Sequence, residues 1–283
     1  MKTSNKLLIA FGVLMFVVPL TIMAYTINRD YKDPEEIKEQ GNANSHFNSH
    51  SNGFTSIALK ETFKSISITG KVQNMWYVNL VNDQDYGVKV SEIYKDFVKV
   101  SIDANEQLHI TMNEGFKDVM YPIAIYVYAP KIETLNLAGV DAITLTFKNK
   151  TDALQLNAKD VMQLTMESDF KVNHLSIDAE KVNNMVFGGA ELKSLNLNLK
   201  SSRFKSEMKS FNSLNVSASD GSELSIFGDE QSKARFAIEQ LTLNTSGKVD
   251  VNLTDMKLNN VSGTLSDETM INVPVVYLKQ LIK

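Results

Sequence analysis

The segment Leu154–Met166, LQLNAKDVMQLTM, holds two short apolar alternations, Leu154-Gln155-Leu156 and Leu164-Thr165-Met166, separated by small and polar residues. Period-two alternation over a few residues marks a half-buried β-strand. The same signature returns along the chain. Leading pairs stand at Leu135/Leu137, Leu154/Leu156, Leu175/Ile177, Leu195/Leu197, Leu214/Val216 and Leu241/Leu243, at steps of 19, 21, 20, 19 and 27 residues. A second pair follows most of them by eight to ten residues: Ile143/Leu145, Leu164/Met166, Met185/Phe187, Leu224/Ile226 and Val249/Val251. After Leu195 the second pair is weak, with Phe204 and Met208 nearby.

A fixed period near twenty residues is the mark of stacked units, none of which buries its apolar face alone. Leucine-rich repeats share the length but need a longer motif and a helical return, and neither is present. Two short strands per turn with polar corners predict an all-β protein, a parallel β-helix solenoid with turns of about 20 residues. Leu135, Leu154, Leu175, Leu195, Leu214 and Leu241 then form an inward ladder. Asn136, Gln155, Ser176, Asn196, Asn215 and Thr242 form an outward one. The long final step carries its surplus in GDEQSKARFAIE, which predicts a loop projecting over Gly228–Arg235. Strands are also expected in SISITG (65–70), VKVSID (98–103), LHITM (108–112) and IAIYVYAP (123–130), at irregular spacing. The C-terminal run INVPVVYLKQLIK (271–283) is expected to cover one open edge, with Pro274 removing a donor and Leu278, Leu281 and Ile282 lying over the last turn.

The N-terminus reads differently. Leu7–Tyr25 is nineteen residues without a charge, preceded by Lys2 and Lys6. At about 1.5 Å per helical residue this nearly spans a ~30 Å hydrocarbon core. It predicts a transmembrane helix over residues 1–27 that anchors the protein in the cell membrane as a single pass, with a cytoplasmic N-terminus and an exported main domain. A cleaved signal peptide is the alternative, with Ala24 before the cut and Ile22 poorly suited two places upstream. Residues 28–53 read as a flexible stalk: DPEEIKEQG is a short helix with Asp33 as N-cap, and NANSHFNSHSNG is a solvated linker. Residues 54–283 form the main domain, irregular over 54–130 and regular over 131–283.

The opening FTSIALKETFKSISITGKVQNMWYVNLV, then LHITM followed by IAIYVYAPKIETLNLAGVDAITL, and the leucine-pair turns after them carry a family resemblance. Over roughly Phe54–Val273 the chain resembles the putative auto-transporter adhesin, head GIN domain proteins of bacterial cell envelopes. The resemblance implies an exported, right-handed β-helix and carries over no catalytic residue. Many of those proteins are lipid-anchored through a cysteine. This chain has none, so the resemblance leaves anchoring to Leu7–Tyr25.

Composition narrows the function. With 283 residues, 43% of them hydrophobic, the chain builds a large core. No disulfide, zinc–cysteine site or thiol nucleophile is available, because cysteine is absent. Net charge is −4. Without Met1–Thr26 it is 27 basic against 33 acidic residues, or −6. That balance, with no clustered Lys/Arg run, argues against nucleic acid as a partner. No phosphate loop, dinucleotide loop, nucleophile elbow or zinc-protease motif occurs. His46 and His50 are four apart but lie among poor helix formers without a third ligand, and His109 and His174 read as surface positions. Asp160, Asp169, Asp178 and Glu180 fall near successive corners, where Asp suits local turns. A shared acidic face there is the basis of the alternative function, a carbohydrate-active β-helix hydrolase or lyase. Calcium at those corners lacks a glycine–aspartate nonapeptide. Trp76 is expected to pack in the core rather than form a binding spot with Tyr77, alternation burying Trp76 and exposing Tyr77 or the reverse. The expectation is therefore a non-catalytic, membrane-anchored binding, adhesion or envelope-scaffold protein. Its partners are the membrane and a protein or glycan ligand, and it has no catalytic, metal or cofactor residue.

Overall fold

The computed structural model describes residues 3–30, 44–70, 75–113, 122–189 and 192–281. The chain divides into two compact units, Met1–Asn44 and Ser45–Lys283. The first contains helix α1 (Thr3–Asp30). Pro19 sits within α1 and has no N–H to donate. The Thr21 hydroxyl donates to the carbonyls of Val17 (2.7 Å) and Val18 (3.0 Å). The helix also incorporates the polar ends of its segment, Thr3-Ser4-Asn5 and Asn28-Arg29-Asp30. Among the described residues no helix is long and apolar enough to cross a membrane. This overturns the expected single-pass anchor at Leu7–Tyr25 and, with it, the localisation and membrane contact built on that anchor. The expected short helix at Asp33 lies outside the described residues.

The second unit is all-β. Among the described residues its seventeen strands join in one sheet, and two chains of neighbours run through it. In the first, β5 (Val98–Ile102) pairs antiparallel with β6 (Gln107–Met112). Next come, all parallel, β2 (Ser65–Thr69), β8 (Thr134–Ala138) and residues Thr134-partnered Gln155–Lys159 of β9 (Ala142–Phe187). Residues His174–Glu180 of β9 then lead through β10 (Ser194–Lys200), β12 (Phe211–Ser219) and β14 (Ala237–Ser246) to β16 (Lys257–Thr264). In the second chain, β1 (Phe54–Ala58) and β7 (Ile123–Ala129) both pair antiparallel with β4 (Gly87–Ser91). β3 (Met75–Asn82) is parallel to β7 and to the start of β9. The end of β9 continues, in parallel, through β11 (Arg203–Glu207), β13 (Ser222–Phe227) and β15 (Val249–Thr254) to β17 (Thr269–Asn272).

The expected right-handed parallel β-helix is corrected. The strands form one continuous, curled, mixed sheet rather than a coil of uniform parallel turns. Three antiparallel pairs, β1–β4, β4–β7 and β5–β6, build its first part. β2 and β3 insert between strands far along the chain, so that Ile66 lies between Leu108 and Leu135. A twenty-residue period records the parallel register between neighbouring strands. It does not determine how the sheet begins or closes.

That register follows the apolar pairs. Leu175, Leu195, Leu214, Leu241 and Val261 align across neighbours, and all are buried. At the start Leu135 aligns with Leu156 rather than Leu154. A slip of two residues preserves facing because side chains alternate with period two. Leu154 is buried as well. β9, 46 residues long, would be roughly 150 Å if straight at ~3.3 Å per residue. It turns instead: Asp160 and Lys181 take left-handed φ of 52° and 55°. Gly139, Ser201, Asp220 and Gly247 do the same at the corresponding turns. Aspartate tolerates this region better than most residues, which accounts for an aspartate at corners.

Between β13 and β14, Glu230–Arg235 is exposed, as the surplus residues predicted. The loop is closed locally by Ser232 N–H to Asp229 O (3.2 Å) and Arg235 N–H to Ser232 O (2.9 Å). At the C-terminus α2 (Val275–Leu281) follows Pro274, with Tyr277 and Leu278 half-buried on the core and Val275 and Val276 exposed. Ile282 lies outside the described residues.

Two substitutions on β12 test the facing. Leu214→Asp places a charge in the core and is expected to cost several kcal/mol, enough to unfold the unit. Ser217→Asp, on the exposed face, is expected to cost about 0.5 kcal/mol or less. Thermal denaturation that ranks the two variants together contradicts the register.

Candidate functional site

The outward positions of the parallel strands form a polar surface. Their side chains bond from strand to strand. Gln107 Nε2 donates to Ser65 Oγ (2.9 Å), as does Asn136 Nδ2 (3.3 Å). Asn157 Nδ2 donates to Asn136 Oδ1 (2.7 Å). Gln155 Nε2 bridges Asn157 Oδ1 and Asp178 Oδ2, both at 2.8 Å. Farther along, Asn215 donates to Asn196 (2.8 Å) and Asn196 to Ser176 (3.2 Å). Asn157 rather than Gln155 is the neighbour of Asn136, by the same two-residue slip as above. Stacked amides retain donors and acceptors on the solvent side, since each has two N–H groups and a carbonyl with two lone pairs.

On this face a groove of about 520 Å3 runs across β8, β9, β10 and β12. Its polar rim includes Asn136, Asn157, Asp178 and Asn198, with Lys159, Glu180 and Lys200 one outward position further on. The charges alternate along that row. Lys159 Nζ lies 3.1 Å from Glu180 Oε2, and Lys200 is the next neighbour of Glu180. The hydrogen bond and charge of Lys159 hold the Glu180 carboxyl below the usual carboxylate range, so it is ionised at neutral pH. Asp178 is fixed by Gln155.

The other acidic candidates do not join this pair. Asp160 is at a corner with left-handed backbone, and Asp169 is half-buried near Lys148, whose ammonium burial pushes down and Asp169 pushes back up. His109 Nε2 is 2.9 Å from Asp103 Oδ2, and this hydrogen bond, with the amides of Gln107 and Asn105, lowers the Asp103 pKa. His174 Nδ1 is 2.7 Å from Ser194 Oγ on the adjacent strand, and His50 Nε2 is 3.1 Å from Asn52 Oδ1. Among the described residues no group of three or more His, Asp or Glu is placed to hold a metal ion. Trp76 is fully buried, as core packing implies, and Tyr77 is half-exposed, the first of the two facings that alternation allows. Lys159, Asn198 and Lys200 were not singled out from sequence. Their signal was the continuing alternation after each leading pair, with Lys159, Glu180 and Lys200 at steps of 21 and 20.

A second polar cluster has a structural role. Ser45–Gly53 belongs to the compact unit, and Lys89 is fully buried beneath it. The Lys89 ammonium donates to His46 O (3.0 Å), Ser49 O (2.7 Å) and Ser51 Oγ (2.8 Å), and lies 5.2 Å from the Tyr128 ring centre. Burial lowers its pKa and Asp83 opposes that shift. Phe47 packs edge-on to Tyr128, and its N–H donates to Asp83 Oδ2 (2.8 Å), 3.4 Å from His46 Nδ1.

The unit is thus an all-β scaffold with a broad, hydrogen-bonded polar face. The family model for the putative auto-transporter adhesin, head GIN domain, matches residues 62–239. The chain belongs to that family. No curated protein matches it. Among solved structures it is similar to a putative adhesin from Parabacteroides merdae ATCC 43184, at 14% identity and TM-score 0.49, covering 77% of this chain and 90% of that one. A putative adhesin from Bacteroides fragilis NCTC 9343 is similar at 12% identity and TM-score 0.45, covering 78% and 93%. A protein described as a putative lipid binding protein, from Parabacteroides distasonis ATCC 8503, gives 13% and 0.39, covering 78% and 92%. At these values no ligand or mechanism is carried over.

Asp83 sets a pH test for the docked segment. Burial raises its pKa, but the amides of Phe47, Asp85 and Gln84 and the charge of His46 outweigh burial, and the net shift is downward. A carboxylate with a depressed folded pKa stabilises above its unfolded value, and that stabilisation is lost as pH falls through the folded one. Hydrogen exchange over Ser45–Gly53 is therefore expected to be flat from neutral pH to about pH 4, the ordinary Asp range, and to accelerate below it once intrinsic rates are corrected for. Asp83→Ala is expected to accelerate exchange at Phe47 already at neutral pH, by about 2 kcal/mol of lost charge-assisted bonding. Unchanged protection in this variant contradicts the assignment.

Proposed function

We propose that the main unit is a non-catalytic adhesion module that takes a hydroxyl-rich ligand, a glycan, along the groove over β8, β9, β10 and β12. The observation that carries this is the state of the groove's polar groups. Its amides lie in register across adjacent strands, and its carboxylate pair, Asp178 and Glu180, is engaged by Gln155 and Lys159. Sugar hydroxyls both donate and accept, and amides match both roles. A glycosidase needs one carboxyl protonated at working pH, with its pKa raised, as general acid. Glu180 is shifted the other way. A rigid sheet also supplies pre-ordered donors, which lowers the ordering cost of binding. Family membership supports an adhesive role.

A panel of neutral oligosaccharides incubated with the purified chain tests this at two levels. Binding without shortening of the glycan is expected. The double variant Asn157→Ala/Asn198→Ala is expected to weaken it about tenfold, or about 1.4 kcal/mol, with the melting temperature nearly kept. Shortened products that vanish with Glu180→Gln would establish the hydrolase or lyase instead. Undiminished binding by the double variant moves the ligand off this face.

A further inference from the structure

A second groove, of about 440 Å3, lies away from the amide face at the turns leading into β10, β12 and β14. Its volume falls within the roughly 300–1,000 Å3 of small-ligand sites. Four cations line it, Lys150, Lys193, Lys209 and Arg235, and no carboxylate does among the described residues. This is notable in a chain of net charge −4. Of the described carboxylates near these cations in sequence, Glu207 is engaged by Lys205 at 2.7 Å, Asp152 by the Asn173 amide at 3.1 Å, Glu239 by the Asn259 amide and Asp229 loosely by Arg235 at 3.8 Å, while Glu230 is exposed on the loop outside the groove lining. Among the described residues Lys193 and Lys209 have no ion pair. The inserted loop therefore has a role in the groove, since it delivers Arg235 and the half-buried Phe236, whose ring lies 5.5 Å from the guanidinium.

We infer that this groove binds a carboxylate-bearing saccharide, a short stretch of an acidic glycan. The inference is independent of the amide face. The cations stand on successive elements: Lys150 in β9, Lys193 just before β10, Lys209 two residues before β12 and Arg235 two before β14, with Lys193 N–H donating to Asn173 O (2.8 Å) and Ser213 N–H to Lys193 O (3.1 Å). Neighbouring strands lie ~4.8 Å apart, so the charged stems are spread over several strands rather than set around one ion. Charges spread in this way suit a polymer with recurring carboxylates. Ser210 and Asn212 at the rim offer partners for hydroxyls, and Phe236 offers an apolar surface for one face of a sugar ring. Single-stranded nucleic acid is a poorer match, because it calls for a series of exposed aromatic platforms in a strongly basic groove.

The test uses the full chain and a galacturonate hexamer, with a neutral hexasaccharide of glucose as control, in calorimetric titrations at two salt concentrations. Salt-sensitive binding is expected of the uronate alone, and any binding of the neutral hexamer at the amide groove is expected to be indifferent to salt and to the lysine substitutions below. Lys193→Gln/Lys209→Gln is expected to weaken it about tenfold while circular dichroism and melting stay unchanged. The control pair Lys99→Gln/Lys248→Gln, exposed lysines outside the groove, makes the same change in net charge and is expected to leave binding intact. Absence of uronate binding, equal losses in both pairs, or equal capture of single-stranded DNA or of anionic phospholipid vesicles through Lys193 and Lys209 overturns the inference. None of these outcomes touches the amide groove, whose variants leave all four cations in place.

Discussion

The repeat of the main unit, from β8 onward, rests on backbone pairing between parallel strands about twenty residues apart. Buried backbone N–H and C=O groups must find partners, and within the repeat each strand finds them in the strands one repeat before and after. Leu195 is fixed between Leu175 and Leu214 in this way. The register sets facing, and facing decides which residues become core and which become surface. The amide rows exist because the same register that aligns leucines also aligns their outward neighbours. Corners absorb the differences in step. They take left-handed backbone at Asp160, Lys181, Ser201 and Asp220, and a whole loop where the step reaches 27 residues.

The sequence was most legible where contacts are local in the repeat. The pairs from Leu175 to Leu243 predicted facing, register and the exposed insertion. Two-residue slips escaped notice, as at Leu135 and Leu156, because alternation looks the same after a shift of two. The first part was less legible for a topological reason. β2 and β3 lie between partners 42 to 69 residues away, such as Leu108 and Leu135 for Ile66, and no fixed period records such insertions. At the N-terminus the expectation rested on the absence of charge over Leu7–Tyr25 alone, and among the described residues no helix meets the length and apolarity of a span. The segment Ser45–Gly53 read as linker from its Asn, Ser and Gly. Its order comes from one buried lysine, Lys89, and one carboxylate, Asp83, both some forty residues away.

The site was legible in kind but not in place. Outward Asn and Gln were expected, and so were Asp178 and Glu180 as candidate carboxylates. What the sequence does not carry is that Lys159 and Gln155 come to rest against them. Those contacts turn a pair of candidate catalytic acids into part of a charge-balanced polar surface. The four groove cations are dispersed over more than eighty positions, and only the stacking of turns brings them together.

The claim that function lives on the amide face is most directly tested by nuclear magnetic resonance of the isotope-labelled chain during titration with a neutral glycan that it binds. Side-chain amide signals of Asn136, Asn157 and Asn198 are predicted to shift together and saturate with one affinity, while those of Asn183 and Asn184, exposed on β9 outside the groove lining, stay fixed. Shifts confined to other parts of the surface, with the three groove amides unmoved at saturation, would contradict the account.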